Sequence, residues 1–224
     1  MNIWFIVIAV MVASFIIQRV LQSKFDKYSD VPAPGGLTGA EVARLMLSRN
    51  GINDVDVVSI DGRLTDHYNP SDSTINLSRE VFYGKSVAAC AIAAHETGHA
   101  IQHAEGYGPL RLRSAMVPVV SFASNIVQWV LLLGVLMIQI TPALLWFGIG
   151  LFALTTLFSF ITLPVEINAS VRAVQWLESS GMVDASTRPL AADALKWAAY
   201  TYVIAAIGSL ATLLYYIALA SRRR

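Results

Sequence analysis

The composition of this 224-residue chain is that of an integral membrane protein, since 55% of its residues are hydrophobic, 14% are charged and the mean hydropathy is +0.57. A formal net charge of +1 excludes the strongly basic balance of a nucleic-acid-binding protein. The single cysteine excludes an internal disulfide and fits a reducing compartment.

The chain begins with an apolar run over residues 3–20, and basic residues follow this run rather than precede it. A secretory signal would carry its basic residues first, so we expect a retained transmembrane anchor. Small residues late in the run leave a cleaved signal as the alternative.

A small soluble segment of roughly 90 residues follows, near the lower size for a self-sufficient core. Residues 29–36 have the composition of a linker, and Thr38 with Glu41 has capping-box spacing for an amphipathic helix. Short strands are predicted over residues 55–60 and 74–78. The second of these is either an ordinary strand or an edge strand that pairs with an extended substrate.

An alanine-rich helix is predicted over residues 87–104, with Ser86 as its N-cap and Gly106 as its stop. Cys90 and His95 are separated by about 140° around this helix. Cys90 is therefore predicted to be a packed core thiol and not a metal ligand.

The same helix carries the motif His-Glu-x-x-His, formed by His95, Glu96 and His99. Residues four apart lie on one helix face, so both imidazoles can bind one metal ion. Glu96 can then act as general base on a water activated by that ion. The alternative is a set of polar residues on a solvated helix face.

Three more apolar runs are long enough to cross a bilayer, over residues 117–140, 143–163 and 197–220. The first two are joined by a tight turn, and Pro164 is predicted to end the second. The predicted fold is mainly α, with four transmembrane helices and a small α+β zincin-like catalytic segment. The predicted division is an anchor (1–22), a soluble segment with the motif helix (23–113), a helical hairpin (114–164), a second soluble segment (165–196) and a fourth span with a basic tail (197–224).

Basic residues near the membrane ends lie mostly on the side that carries the soluble segments. They are Arg19, Lys24, Lys27, Arg111, Arg113, Arg172, Arg188 and Lys196. The positive-inside rule therefore predicts that this side is cytoplasmic. The terminal Arg222–Arg224 is the objection, which disappears if the last span is a re-entrant or surface helix.

Catalytic zinc usually has three protein ligands, so one remains to be found. His103 lies about 12 Å along the helix axis from His95, too far for one ion to bind both rings together with His99, and Glu105 is too close in the chain. Four carboxylates remain: Glu166, Glu178, Asp184 and Asp193. Glu166 stands where the third span emerges, where a charge requires a partner or water. An interfacial glutamate that meets water is the alternative.

Four motifs in order resemble the YugP-type family of bacterial membrane zinc metallopeptidases, which is more distantly similar to HtpX-type and CAAX-prenyl membrane proteases. They are Gly36-Leu37-Thr38-Gly39-Ala40, Leu64-Thr65-Asp66-His67-Tyr68, His95-Glu96-x-x-His99-Ala100-Ile101-Gln102 and Leu163-Pro164-Val165-Glu166-x-Asn168-Ala169-Ser170. The resemblance covers nearly the whole chain. It implies one Zn²⁺ per chain, a polypeptide substrate and a multi-pass protein of the bacterial cell membrane.

The distant relatives supply their third ligand from a Glu-x-x-Ala-Asp helix, so the resemblance implies that Glu166 is the ligand here. This chain has Ser170 where those relatives have aspartate, so the carboxylate that would orient a ligand histidine is missing. Asn168 and Asp66 are candidates for that role.

The tetrahedral oxyanion of peptide hydrolysis needs a hydrogen-bond donor, for which the candidates are His67, Tyr68, Arg172 and Tyr202. A turn equally explains the first two, charge balance at the membrane face explains Arg172, and an aromatic belt explains Tyr202.

Two other classes of function remain open from the sequence. A non-catalytic scaffold with a structural or vestigial zinc site would be expected to have lost Glu96, which is present. A small transporter with a cytoplasmic metal site should show polar residues along a path. The polar residues of the spans are all uncharged and also suit ordinary helix packing.

Overall fold

The computed structural model describes residues 3–221, which form seven helices and one three-stranded sheet. In chain order these are α1 (Ile3–Ser29), α2 (Gly39–Arg49), β1 (Asp56–Ile60), β2 (His67–Asn69), β3 (Thr74–Ser78), α3 (Arg79–Tyr83), α4 (Val87–Ala104), α5 (Gly108–Leu136), α6 (Pro142–Ser179) and α7 (Arg188–Ser221). The terminal Arg222–Arg224, which oppose the predicted orientation, lie outside the described residues.

Four of these helices, α1, α5, α6 and α7, are long and apolar enough to cross a membrane. Large apolar side chains stand exposed along them, including Phe5 at 72% and Leu136 at 71%. Such a surface suits lipid and not water. The predicted fold class, mainly helical with four spans and a small sheet, is confirmed.

Pro164 was predicted to end the third apolar span, but it does not end the helix, because α6 continues through it to Ser179. A proline removes one helical N–H and leaves the carbonyl of Phe160 without that donor. Helices of membrane proteins tolerate this defect because neighbouring groups satisfy the freed carbonyl. Pro118 lies inside α5 in the same way. Residues 165–170 are therefore helical, and this places their side chains at helical spacing.

The described residues divide into two compact units. The apolar unit comprises residues 3–16, 111–164 and 201–221, and the mixed unit comprises residues 17–110 and 165–200. The five-segment division proposed from the sequence stays a prediction.

Within the apolar unit, α5 packs closely against α6 at Gly134, where an added Cβ would lie 2.7 Å from the Cα of Leu145. The buried apolar cluster around this contact contains Val127, Leu131, Ile138, Leu145, Ile149 and Ala220. Small residues at such contacts are typical of helix packing in membranes.

Within the mixed unit, the sheet has the order β1-β3-β2, with β1 parallel and β2 antiparallel to β3. β3 is therefore the middle strand, so the edge-strand interpretation of Thr74–Ser78 is wrong and the ordinary one is correct. β2 is an edge strand instead.

Helix α2 of the mixed unit begins where its local signal predicts it. The Thr38 hydroxyl accepts a hydrogen bond from the amide of Glu41, and the Glu41 carboxylate accepts one from the amide of Thr38, which confirms the capping box. The core between the helices and the sheet includes the fully buried Val42, Met46, Ile75, Leu77, Val81, Val87 and Leu177.

Candidate metal centre

Helix α4 has the limits that the sequence predicts. The Ser86 hydroxyl accepts a hydrogen bond from the amide of Ala89 at the start, and Gly106 adopts a φ of +66° just beyond the end. His95 and His99 project one turn apart from this helix, with ring centroids separated by 4.8 Å. Both imidazoles thus lie on one face, as the motif requires.

Glu166 from α6 meets both histidines inside the mixed unit. Its Oε2 lies 3.4 Å from Nε2 of His95 and 3.5 Å from Nε2 of His99. The Glu166 and His99 side chains are only 3% and 9% exposed. These three residues form a group whose ligand atoms all lie within 4.8 Å of one another.

The two helices can approach closely because α4 carries small residues at the contact. An added Cβ on Gly98 would lie 3.0 Å from the carbonyl oxygen of Ala169. Ala93, Ala94 and Ala169 are themselves fully buried. The glycine thus allows Glu166, three residues before Ala169, to reach the two imidazoles.

The donor set fits Zn²⁺. Two imidazole nitrogens and one carboxylate oxygen are ligands of catalytic zinc sites, which keep a fourth position open. Ligands about 2.0–2.1 Å from a tetrahedral zinc are separated from each other by about 3.4 Å. The nitrogen–oxygen distances of 3.4 and 3.5 Å match that separation.

The protonation of His99 reflects the buried charges around it. Burial lowers its pKa, but the hydrogen bond to Glu166 and the charges of Glu96 and Glu166 outweigh burial, so the pKa is raised. A divalent metal ion bound at this site would balance the charge of the Glu166 carboxylate, which without the ion favours a proton on His99.

The second nitrogen of each imidazole faces a polar side chain. Nδ1 of His95 lies 3.2 Å from the hydroxyl oxygen of Ser170, and Nδ1 of His99 lies 3.0 Å from Oε1 of Gln102. Ser170, which was expected to lack the orienting carboxylate, therefore contacts His95 itself.

Glu96 is buried, with 9% of its surface exposed, and its position is set by the edge strand β2. Its Oε2 accepts a hydrogen bond of 3.0 Å from the backbone amide of Tyr68. This contact brings the strand that contains His67 and Tyr68 against the residue that the motif assigns as general base.

The side chains of His67 and Tyr68 have other partners. Nδ1 of the exposed His67 lies 2.8 Å from the carbonyl oxygen of Thr65, and the Tyr68 hydroxyl lies 2.7 Å from Nδ1 of His103. Burial and the nearby Asp54 and Asp72 raise the pKa of Tyr68, so it remains a neutral hydroxyl.

Asp66 hydrogen-bonds to Ser78 at the end of β3, and none of the bonds described for it reaches His95 or His99. Its carboxylate accepts bonds from the amide and the hydroxyl of Ser78. Burial raises the pKa of Asp66 against these bonds, and the charge of Glu96 raises it further.

Arg172 and Asn168 lie one turn apart on α6 and contact each other. The Arg172 Nε donates to Oδ1 of Asn168 at 2.8 Å, and its guanidinium pairs with Glu105 at 2.8 Å. This ion pair lowers the pKa of Glu105.

Gln102, which is fully buried and contacts His99, is not among the site residues predicted from the sequence. Glutamine carries no motif of its own, whereas acids and histidines are recognisable as metal ligands. The available signal was spacing, because a residue three positions after His99 lies on the same helix face.

Comparisons with known proteins assign the chain to a family. The family model described as "Putative neutral zinc metallopeptidase" matches residues 3–221. The chain is 45% identical over 213 residues to a protein of Bacillus subtilis (strain 168) named "Putative membrane protease YugP", covering 95% of this chain and 94% of that protein. No solved structure matches the chain.

Proposed function

Because this chain belongs to the neutral zinc metallopeptidase family, we propose that it is a membrane-embedded zinc endopeptidase that cleaves membrane or unfolded proteins. The observation that carries the proposal is the buried group of His95, His99 and Glu166 beside Glu96. We assign the three as ligands of one Zn²⁺ and Glu96 as the general base.

Zn²⁺ in this site would polarise the peptide carbonyl and lower the pKa of the attacking water. Glu96 removes the proton of that water and delivers it to the leaving amine. The amide of Tyr68 holds the Glu96 carboxylate in place while this happens. A buried position with 9% exposure also limits competing bulk water around the carboxylate.

The edge strand β2 is the proposed position of the polypeptide substrate. A strand with an unpaired side can add an extended peptide through main-chain hydrogen bonds. β2 pairs with β3 on one side and its Tyr68 amide donates to Glu96, so a peptide bound beside it through other main-chain groups would lie next to the general base. His67, Tyr68 and Arg172 stay candidate oxyanion donors, and the side chain of each also contacts another group.

We place the site on the cytoplasmic side of a bacterial inner membrane, because the basic residues near the helix ends favour that side. Fusing a reporter enzyme that works only in the cytoplasm to the loop between α6 and α7 tests this orientation. An active reporter supports it, and an inactive reporter with an active periplasmic one contradicts it.

The scaffold and transporter alternatives are less well supported by the described residues. A scaffold has no need for a buried carboxylate held beside the metal ligands. Four of the eight uncharged polar residues that hint at a polar path bond through their hydroxyls to a carbonyl of their own helix, namely Thr155, Thr156, Ser159 and Thr162.

The decisive test is Glu96→Gln in protein purified in detergent. We expect one zinc per chain to remain and cleavage of an unfolded membrane protein to fall by a factor on the order of 10²–10⁴. Undiminished cleavage would contradict the mechanism. Zinc binding by the unaltered protein with no cleavage of any polypeptide would favour the scaffold.

A further inference from the structure

Gln102 is a fully buried polar side chain with three polar contacts, and each contact reaches a different group. Its Oε1 lies 3.0 Å from Nδ1 of His99. Its Nε2 lies 2.9 Å from the carbonyl oxygen of Val165 and 2.9 Å from Oδ1 of Asn168. The amide thus links the helix of the two histidines to the helix of Glu166.

Only one orientation of the Asn168 and Gln102 side-chain amides pairs every donor with an acceptor. The Val165 carbonyl only accepts hydrogen bonds, and the Arg172 guanidinium that bonds Asn168 only donates them. The atom of Asn168 between Arg172 and Gln102 must therefore be its oxygen. It follows that the Gln102 nitrogen faces Asn168 and Val165, and that its oxygen faces His99.

This orientation decides which nitrogen of His99 carries the hydrogen. The Gln102 oxygen can only accept, so Nδ1 of His99 must donate, and the lone pair of the neutral ring lies on Nε2. Nε2 is the atom 3.5 Å from the Glu166 carboxylate, where a metal would bind.

The chain of bonds is anchored at its far end. Arg172 pairs at 2.8 Å with Glu105, the residue that caps the C-terminus of α4. The bonds therefore run from Glu105 through Arg172, Asn168 and Gln102 to His99. We name this series of hydrogen bonds the relay. It leaves α4 at the helix end and returns to the helix at the ligand.

His95 has no such fixed partner on its second nitrogen. The Ser170 hydroxyl, 3.2 Å away, can rotate and either donate or accept. The two histidines therefore differ, because only the ring of His99 is held in one tautomer by its surroundings.

We propose that Gln102 is a positioning residue that sets the metal-binding tautomer of His99, and that the relay orients Gln102. This inference rests on the ligand set of the proposed function. It assigns to an uncharged amide the task that a carboxylate performs for many metal-ligating histidines.

The test compares zinc affinity and the absorption spectrum of the cobalt-substituted protein in variants of the full chain. Gln102→Met keeps the size of the side chain and removes the acceptor, and we expect zinc affinity, measured by chelator competition, to fall about 10–100-fold. The d–d bands of bound Co²⁺ should shift. Thr97→Val, which removes another fully buried hydrogen bond of α4, is the control and should change neither readout.

A pair of substitutions at Asn168 tests the direction of the relay. Asn168→Asp keeps the oxygen that accepts from Arg172 and Gln102, so affinity should stay within about threefold of the unaltered protein. Asn168→Leu removes that oxygen and should lower affinity as Gln102→Met does. These variants also test the proposal if Gln102→Met does not fold.

Equal zinc affinity and equal cobalt spectra in the unaltered protein, Gln102→Met and Asn168→Leu would overturn the inference. Losses that are the same for Asn168→Asp and Asn168→Leu would overturn the direction of the relay. Zinc binding without peptidase activity in the unaltered protein would contradict the proposed function alone, because the affinity readout does not depend on hydrolysis.

Discussion

Glu166 is a carboxylate with 3% of its side chain exposed, and its surroundings supply two imidazole nitrogens in place of water. A buried charge needs partners, and here the partners are the two imidazoles that we propose as zinc ligands. The sequence motif identifies the histidines directly, since they lie four residues apart. The glutamate became a ligand candidate only through its place in the chain and a family resemblance, because no local spacing links it to residues so distant.

Replacing Glu166 with glutamine should weaken zinc binding by more than about 100-fold, because loss of partners outside the ligand set alone costs 10–100-fold. Chelator competition measures the change. Glu178→Gln alters an exposed carboxylate on the same helix, paired with Arg188, and is the control that should bind zinc normally. Unchanged affinity in Glu166→Gln would remove Glu166 from the ligand set.

Cys90 is the packed thiol that its helix position predicts, with 1% of its surface exposed, and burial raises its pKa to about 12. The thiolate is the reactive form, so against the ordinary value of 9.0 we expect alkylation by iodoacetamide at pH 8 to be about 1,000-fold slower than for an exposed thiol. Because folding raises this pKa, the stability it contributes is complete below about pH 9 and is lost as the pH rises through about 12.

Labelling in denaturant serves as the control, since Cys90 is the single cysteine of the chain. Rapid labelling of the folded protein at pH 8 would contradict the buried position.

At the scale of elements, helix ends could be predicted where a capping side chain marks them. They could not be predicted in the same way for a helix that lies in a membrane and not in water. The limits of α4 and the capping box of α2 follow from side chains within four residues of each helix end. α6 continues through Pro164, because the rule that proline ends a helix describes helices in water. The order of the three strands could not be predicted, because strand pairing depends on contacts that no short window contains.

The contact between α4 and α6 depends on the absence of a side chain at Gly98. In Gly98→Val the new Cβ would lie 3.0 Å from the carbonyl of Ala169, so the helices must separate. We expect a loss of about 1–3 kcal/mol in the free energy of unfolding and weaker zinc binding, measured in detergent.

Gly150→Ala is the matched control for this substitution, because nothing lies within 4 Å of the added Cβ in α6. Alanine there should leave stability equal or raise it by up to about 1 kcal/mol. Equal behaviour of the two variants would show that the contact at Gly98 is unimportant.

At the scale of the whole molecule, zinc is expected to be part of the fold as well as the chemistry. The mixed unit has a small sheet and a core shared by α2, α4 and the later helices. A ligand that binds only the folded state adds stability that grows with the logarithm of the ratio of its free concentration to its dissociation constant.

Removing zinc with a chelator should therefore lower the unfolding temperature, by an amount that corresponds to about 2.7 kcal/mol when free zinc stands at 100 times its dissociation constant. Glu96→Gln should show the same loss, because Glu96 is not a proposed ligand. Thermal scanning in detergent with and without chelator measures both. An unfolding temperature that ignores the chelator in zinc-loaded protein would contradict a stabilising role.

The distance along the chain between the two histidines and Glu166 has a consequence for how the protein is made. The ribosome adds His95 and His99 before any residue of α5 or α6. Glu166, which lies in α6, follows about 70 residues later. At about 5–20 residues per second, several seconds pass in which the nascent chain has two of the three proposed ligands. The proposed metal site thus stays incomplete until the membrane hairpin has been synthesised, so biogenesis itself delays the assembly of that site.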